Sequence, residues 1–340
     1  MGKITLLPAE RQVVVVTGAT SGIGLASVRM LASAGVKVML VARNEGALRD
    51  IVAEVRAGGG TADYAVADVG DRRAVEAVAE RTIQLFGGFD AWVNNAGVAI
   101  YARLADTPDE EHERLFRTNY FGVVNGSLVA LSHLRGKGGA IINMGTIGSE
   151  VPSAILSAYT ASKHAMRAFT EALRQELIAD DVPVSVTLLL PAGVATPLAE
   201  HAAVHAEGEA LIPEPAYDPD VVARAVLDAV SHPRGNVHVG GRGLATVLAS
   251  NHLPGLRDRL GSTTKRALID PVGPEERTGN LFEPQDPGRV RSRRQSGKGS
   301  SSYTAARRHP ATSLVTGLAV MAVGTGVAAL LARLVRPADT

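Results

Sequence analysis

Four consecutive β-branched residues, Val13-Val14-Val15-Val16, run straight into Thr17-Gly18-Ala19-Thr20-Ser21-Gly22-Ile23-Gly24, and then into a helical stretch over 25–34 that stops at Gly35. No other feature restricts the fold so sharply. An unbroken apolar run of this length reads as a strand buried on both faces of a parallel sheet. Parallel strands require crossover helices, which predicts a doubly wound Rossmann-type α/β domain with helices on both faces. The turn between strand and helix also makes a phosphate cradle. Its glycines let the main chain approach a pyrophosphate, and the helix N-terminus presents unpaired N–H groups to it. A glycine turn without a ligand is the plainer alternative.

The next strand, 37–41, ends in Ala42-Arg43-Asn44. An acidic residue here would bond the ribose 2′-hydroxyl of NAD, whereas an arginine accommodates the 2′-phosphate of NADP. Arg43 therefore points to NADP(H), with Ser21 as a second contact; a solvated cation at a strand end is the alternative. Two further strands are legible. Residues 62–67 lead into Asp68-Val69, and Ala91-Trp92-Val93 leads into Asn94-Asn95-Ala96-Gly97. Small residues at a strand's carboxyl end suit a ligand crossing the sheet edge. Asp68 taken alone reads equally as a cap for a helix over 71–86.

Tyr159-Thr160-Ala161-Ser162-Lys163 carries the chemistry. Four residues apart on a helix, the two side chains share a face. A phenol with an ordinary pKa of roughly 10 is a poor proton shuttle at neutral pH. A neighbouring ammonium favours the phenolate and brings it toward general acid/base work.

In this order the motifs resemble the short-chain dehydrogenase/reductase family in its common single-domain form. The matching runs are Thr17 through Gly24, Asp68-Val69, Asn94 through Gly97, Asn119 in Thr118-Asn119-Tyr120-Phe121-Gly122, Tyr159 through Lys163, and Pro191 through Pro197; together they span about residues 10–262. The resemblance implies that Thr17, Gly18, Ser21, Gly22, Ile23 and Gly24 cradle the cofactor. Asp68 and Val69 would border its adenine, and Asn95, Ala96 and Gly97 its adenosine ribose. Val194 and Thr196 would lie at the nicotinamide end, Thr196 touching the carboxamide. Tyr159 would be the catalytic acid/base, Lys163 would lower its pKa and hold the nicotinamide ribose, and Asn119 would place a relay water. The family's usual serine, thirteen residues before the tyrosine, is Thr146 here. Its hydroxyl can still donate to a substrate oxygen, although the extra methyl narrows the site. Ser149 is the fallback, in a position where the family normally has glycine. The family also implies a homodimer or homotetramer.

Length and 46% apolar content allow one large core, assigned to residues 1–265, with something added. A net charge of +1 gives no nucleic-acid signature, and the absence of cysteine excludes disulfides and thiolate metal sites. His201 and His205 share helical spacing but read as solvated residues of a lid rather than metal ligands. No signal peptide is expected, since 13–16 belongs to the core, and Leu6 spoils a myristoylation motif at Gly2.

Residues 266–311, rich in Pro, Gly, Ser and Arg, read as a basic disordered linker. Residues 312–335 read as a transmembrane anchor. Within them 314–332 carry no charge and would span roughly 28 Å as a helix, about a bilayer core. A buried accessory helix or an oligomerisation arm are the rival readings. Arginines on the N-terminal side would keep the catalytic domain cytoplasmic and could also meet anionic lipid. The segment over 198–217 and residues Val151, Pro152, Ala154 and Ile155 supply apolar lining, which suits a lipid-like carbonyl or alcohol. The reading is a membrane-tethered NADP(H)-dependent oxidoreductase. A non-enzymatic NADP(H)-responsive scaffold, or an epimerase or dehydratase on the same fold, are the alternatives.

Overall fold

A computed structural model describes residues 4–253, 255, 258, 267–272, 277–285 and 288–308. The first half alternates β1 (Val13–Thr17), α1 (Gly22–Ser33), β2 (Lys37–Ala42), α2 (Glu45–Ala57), β3 (Ala62–Val66), α3 (Arg72–Phe86) and β4 (Ala91–Asn94). A short β5 (Ile100–Tyr101) precedes α4 (Asp109–Phe116) and α5 (Gly122–Leu134). Then come β6 (Gly139–Met144), α6 (Ser157–Ala179) and β7 (Val184–Pro191). The last third holds β8 (Ala203–Val204), β9 (Glu209–Ala210), α7 (Pro219–Ser231), β10 (Asn236–Val239), α8 (Gly241–His252), β11 (Ile269–Asp270) and α9 (Ser302–Arg308).

Seven strands form one sheet in the order β3-β2-β1-β4-β6-β7-β10, and every pairing is parallel. The order reverses at β1, so a crevice opens at the carboxyl ends of β1 and β4, where ligands of such sheets bind. Alternation along β1 explains its composition. Val14 and Val16 pack into the layer of α1, α2 and α7, while Val13 and Val15 pack into that of α3, α5 and α6. With both faces covered, the strand is apolar up to Thr17, whose hydroxyl is hydrogen-bonded.

Two expectations need correction. The stretch read as a disordered linker is packed onto the domain over its described residues. Leu268, Ile269, Leu281 and Val290 are all buried, β11 pairs with β9, and Arg277 exchanges main-chain bonds with Val204. Composition averages concealed this, because a few apolar anchors at three places along the stretch suffice when arginines satisfy the intervening carbonyls and carboxylates. Arg291 holds Asp218 and Asp220, Arg289 holds Glu200, and Arg294 holds Glu209, so those charges are engaged within the protein. The histidines of the lid are likewise not solvated. His201 is buried, and His205 pairs with buried Glu111 at 2.8 Å. The expected anchor at 314–332 lies outside the described residues. Among those described, no helix is long and apolar enough to cross a membrane.

Candidate active site

The glycine turn is built by close approach. Gly18 sits at φ +65°, and a Cβ there would lie 2.8 Å from the Ala96 Cα; at Gly24 it would lie 2.0 Å from the Gly18 carbonyl. Thr17 braces the turn. Its hydroxyl donates to the Val93 carbonyl and accepts from the amides of Asn95 and Ala96, while the Asn95 amide group donates to the Thr17 and Gly18 carbonyls. Thr17 and Gly24 thus shape the cradle from behind. Gly18, Ser21, Gly22 and Ile23 line the cleft itself. Ser21 occupies the N-cap of α1 without a side-chain capping bond, so its hydroxyl is not spent on the helix end.

At the adenosine end stand Arg43, Asp68 and Val69. Asp68 is not the helix cap; Asp71 caps α3 by accepting from the Arg73 amide. Asp68 instead accepts from the Gly70 amide and pairs with Arg114 at 2.5 Å. Burial pushes its carboxyl up, but Arg114, the Gly70 amide and the charge of Arg43 together hold it below the usual carboxylate range. Arg43 is occupied as well. Its guanidinium donates to the main-chain carbonyls of Asn280, Leu281 and Phe282.

Asn119 lies in a π-helical turn, Arg117–Phe121, between α4 and α5. Its side chain accepts from the Val98 amide and donates to the Val98 carbonyl and Ser162 Oγ. Both ends are thereby committed to fixing the loop after β4, next to Gly97. Beneath this loop runs a buried polar chain. Trp92 Nε1 donates to Asn94, Asn94 donates to Ser127 and Asn143, and Asn143 donates to Thr170.

α6 brings Tyr159 and Lys163 to one face, as the spacing predicts. Lys163 is buried, donates to the Met144 carbonyl at 3.0 Å, and lies 5.8 Å from the centroid of the Tyr159 ring. Burial lowers its pKa from 10.5 to about 8. Part of the Tyr159 ring faces the cleft, yet surrounding protein desolvates the hydroxyl and pushes it up to about 12, with the Thr146 hydrogen bond pulling the other way. The expected depression of Tyr159 by Lys163 is not made here, because the ammonium sits over the ring and bonds Met144 rather than the hydroxyl.

Thr146 and Ser149 separate cleanly. Thr146 lines the apolar cavity together with Tyr159, its hydroxyl donating to the Pro191 carbonyl at 3.4 Å, whereas Ser149 is fully buried, accepting from the Thr146 amide in a reciprocal cap of a short turn. Thr196 lines the cofactor cleft, its hydroxyl accepting from the Leu198 amide; Val194 faces the second cavity instead. That cavity, about 590 Å³, is walled by Ile147, Val151, Pro152, Leu156, Ile212 and Pro213, with Leu253 of the α8 end and Leu268 beyond the expected domain boundary. Tyr159 borders both spaces. Sequence reasoning missed Tyr101. Fully buried beside Tyr159, it donates to the Leu211 carbonyl and so pins the lid, and burial raises its pKa. It carries no motif; only its place in a strand after Gly97 marks it.

A family model described as short chain dehydrogenase matches residues 12–206. The chain is 40% identical over 261 residues to an uncharacterized oxidoreductase, YxnA, of Bacillus subtilis, covering 76% of this chain and 73% of that one. It superposes on a short chain dehydrogenase/reductase from Burkholderia phymatum in complex with NAD. There the TM-score is 0.65 and the identity 26%, over 82% of this chain and 100% of the other. An alcohol dehydrogenase from the archaeon Thermococcus sibiricus, complexed with 5-hydroxy-NADP, matches with a TM-score of 0.59 and 26% identity, over 67% and 95% of the two chains.

Proposed function

The chain belongs to the short-chain dehydrogenase/reductase family, and from that premise we propose an NADP(H)-dependent oxidoreductase acting on an apolar carbonyl or its alcohol, tethered to a membrane through residues 314–332. One observation carries the reading: Tyr159, with Thr146 beside it, stands in the wall shared by the cofactor cleft and an apolar cavity of about 590 Å³.

The residues fit a dinucleotide. The N-terminus of α1 has no side-chain cap, Gly18 and Gly24 exclude a β-carbon by contact, and Arg43 stands where a 2′-phosphate would be met. Gly18, Ser21, Gly22 and Ile23 would hold the pyrophosphate, Asp68 and Val69 the adenine, and Lys163 and Thr196 the nicotinamide half. When bound, the cofactor supplies or accepts a hydride. Tyr159, held neutral by burial, gives its proton to the carbonyl oxygen in reduction or takes one from the alcohol in oxidation. The Thr146 hydroxyl donates to the same oxygen and steadies the charge that develops there. Lys163 places a cation 5.8 Å from the centroid of the Tyr159 ring, held by the Met144 carbonyl, where it would meet the nicotinamide ribose. Asn119 has no side-chain donor to spare, its side chain being engaged with Val98 and Ser162, and so it fixes the loop after β4.

The test is a panel of carbonyls of graded chain length, assayed with NADPH and with NADH. Each buried methylene contributes about 0.8 kcal/mol, so KM should fall about fourfold per methylene until the cavity is full. Equal turnover of short polar carbonyls would remove the apolar-substrate reading, and no oxidation of NADPH by any of them would remove the enzyme.

A further inference from the structure

The described parts of the tail, 277–285 and 288–292, border the cofactor cleft and take up recognition groups at both of its ends. At the adenosine end, Arg43 gives three hydrogen bonds to the carbonyls of Asn280, Leu281 and Phe282, and Arg114 gives one more to Leu281. At the pyrophosphate end, the Gly288 amide donates to the Thr20 carbonyl and the Gly22 amide to the Arg289 carbonyl. Asn280, Pro284 and Gln285 form part of the cleft lining. The segment is seated by Leu281, which is fully buried against Val98 and Leu115, and by Glu200, which receives Arg289, Ser292 and the Arg293 amide.

Charge follows the same geometry. Arg43 and Arg114 share their corner with Asp68, and Glu283 of the tail adds a second carboxylate close enough to act on Arg43. With the tail seated, two cations face two carboxylates, and an incoming phosphate dianion meets no net attraction. Main-chain carbonyls hold three of the five N–H groups in the guanidinium's fixed fork, so a 2′-phosphate must share or displace them to engage Arg43 fully. A cofactor bearing a 2′-hydroxyl makes no such demand on Arg43.

We propose that the tail segment 277–292 is an intramolecular competitor for the 2′-phosphate, so that NADP(H) must displace it from Arg43 while NAD(H) need not. This rests on the reading of Arg43 as the 2′-phosphate ligand. Cofactor choice is then set jointly by Arg43 and by a segment more than two hundred residues away in sequence.

Hydrogen–deuterium exchange on the full-length chain in detergent, with saturating NADP⁺, NAD⁺ or neither, tests the displacement. Peptides covering 277–292 should exchange several-fold faster with NADP⁺ than with NAD⁺; equal exchange, or slower exchange with NADP⁺, overturns the proposal. Leu281→Asp and the milder Leu281→Ala should each tighten NADPH about tenfold, the scale of a contested charge-assisted bond, and change NADH less than about twofold. Should the aspartate variant not fold, the alanine variant and the wild-type exchange experiment decide. Unchanged NADPH affinity, or equal tightening of both cofactors, also overturns it. Arg43→Ala in the Leu281→Ala background separates the two layers. Selective loss of NADPH there keeps the cofactor reading whatever the tail does, and loss of neither cofactor removes that reading and the proposal with it.

Discussion

Replacing Lys163 with methionine should make the cofactor-free protein more stable, by an amount that depends on pH in one direction only. Lys163 titrates near 8 in the folded chain because it is buried, against 10.5 for an exposed lysine. A difference of that size corresponds to roughly 3 kcal/mol disfavouring the charged folded state well below pH 8. Methionine has similar length and no charge to desolvate, but it leaves the Met144 carbonyl without its donor, which costs about 1 kcal/mol or somewhat more. The net gain near neutral pH is therefore about 2 kcal/mol. The sign follows from proton counting. The folded value lies below the unfolded one, so between about pH 8 and pH 10.5 the unfolded chain binds more protons and wild-type stability rises with pH. The advantage of the variant should shrink across that window and reverse slightly at its top. Urea denaturation of both proteins, between about pH 7 and about pH 10, measures the difference with all other titrations cancelling. A difference that stays constant or widens with pH would refute the burial argument, whatever its absolute size. Turnover should be lost in the variant at every pH, because the cation at the tyrosine face is gone.

Thr146→Ala should lower kcat about 10²-fold, as for loss of an oxyanion donor, and should also cost roughly 0.5–2 kcal/mol of stability, because Thr146 is the N-cap of its turn. Ser149→Ala, which removes the reciprocal bond to the Thr146 amide, should lower stability while turnover persists; steady-state kinetics and thermal melts distinguish the two. Glu200 and Asp218, both held below the ordinary carboxylate range despite the opposing effect of burial, contribute stability above that range that is lost as pH falls through their depressed folded values. Exchange protection of 288–298 should therefore fall on acidification before that of β1, and loss of both together would refute the assignment. For the tether, arginines at Ala322 and Val323 should each cost roughly 2.5–3.5 kcal/mol of insertion and release the chain from sedimenting membranes. Release of the unaltered protein by salt alone would mean a charge-held association instead.

The parallel sheet was legible from β1 and β4, which announce themselves twice, by an apolar run and by the small residues that end each, whereas β10, Asn236-Val237-His238-Val239, carries no such mark. Val13 through Gly24 and Ala91 through Gly97 gave both fold and cleft for this reason. The pair Tyr159 and Lys163 was legible because helical geometry fixes what four residues of separation mean. What stayed hidden depends on long-range partners. Leu281 in a Pro- and Gly-rich stretch looks like any linker residue until Val98 and Leu115 are found around it. Arg43 shows its chemistry in sequence, but the carbonyls that occupy it come from the far end of the chain. Thr146 and Ser149 have similar hydroxyls three residues apart, and only the turn between them turns one toward Tyr159 and the other inward.

The buried chain from Trp92 through Asn94, Ser127 and Asn143 to Thr170 links β4, α5, β6 and α6, the elements from which Gly97, Thr146 and Tyr159 emerge. Apolar packing tolerates small sliding, but a row of mutually bonded amides and hydroxyls does not, since a shift of one residue would strand several polar groups out of reach of water. The reacting groups are thus indexed to one another from below, by contacts that owe nothing to the lid or the tail above them. A chain built this way can exchange its cover, and with it the molecules it admits, while the spacing of hydroxyl, phenol and ammonium stays as it was.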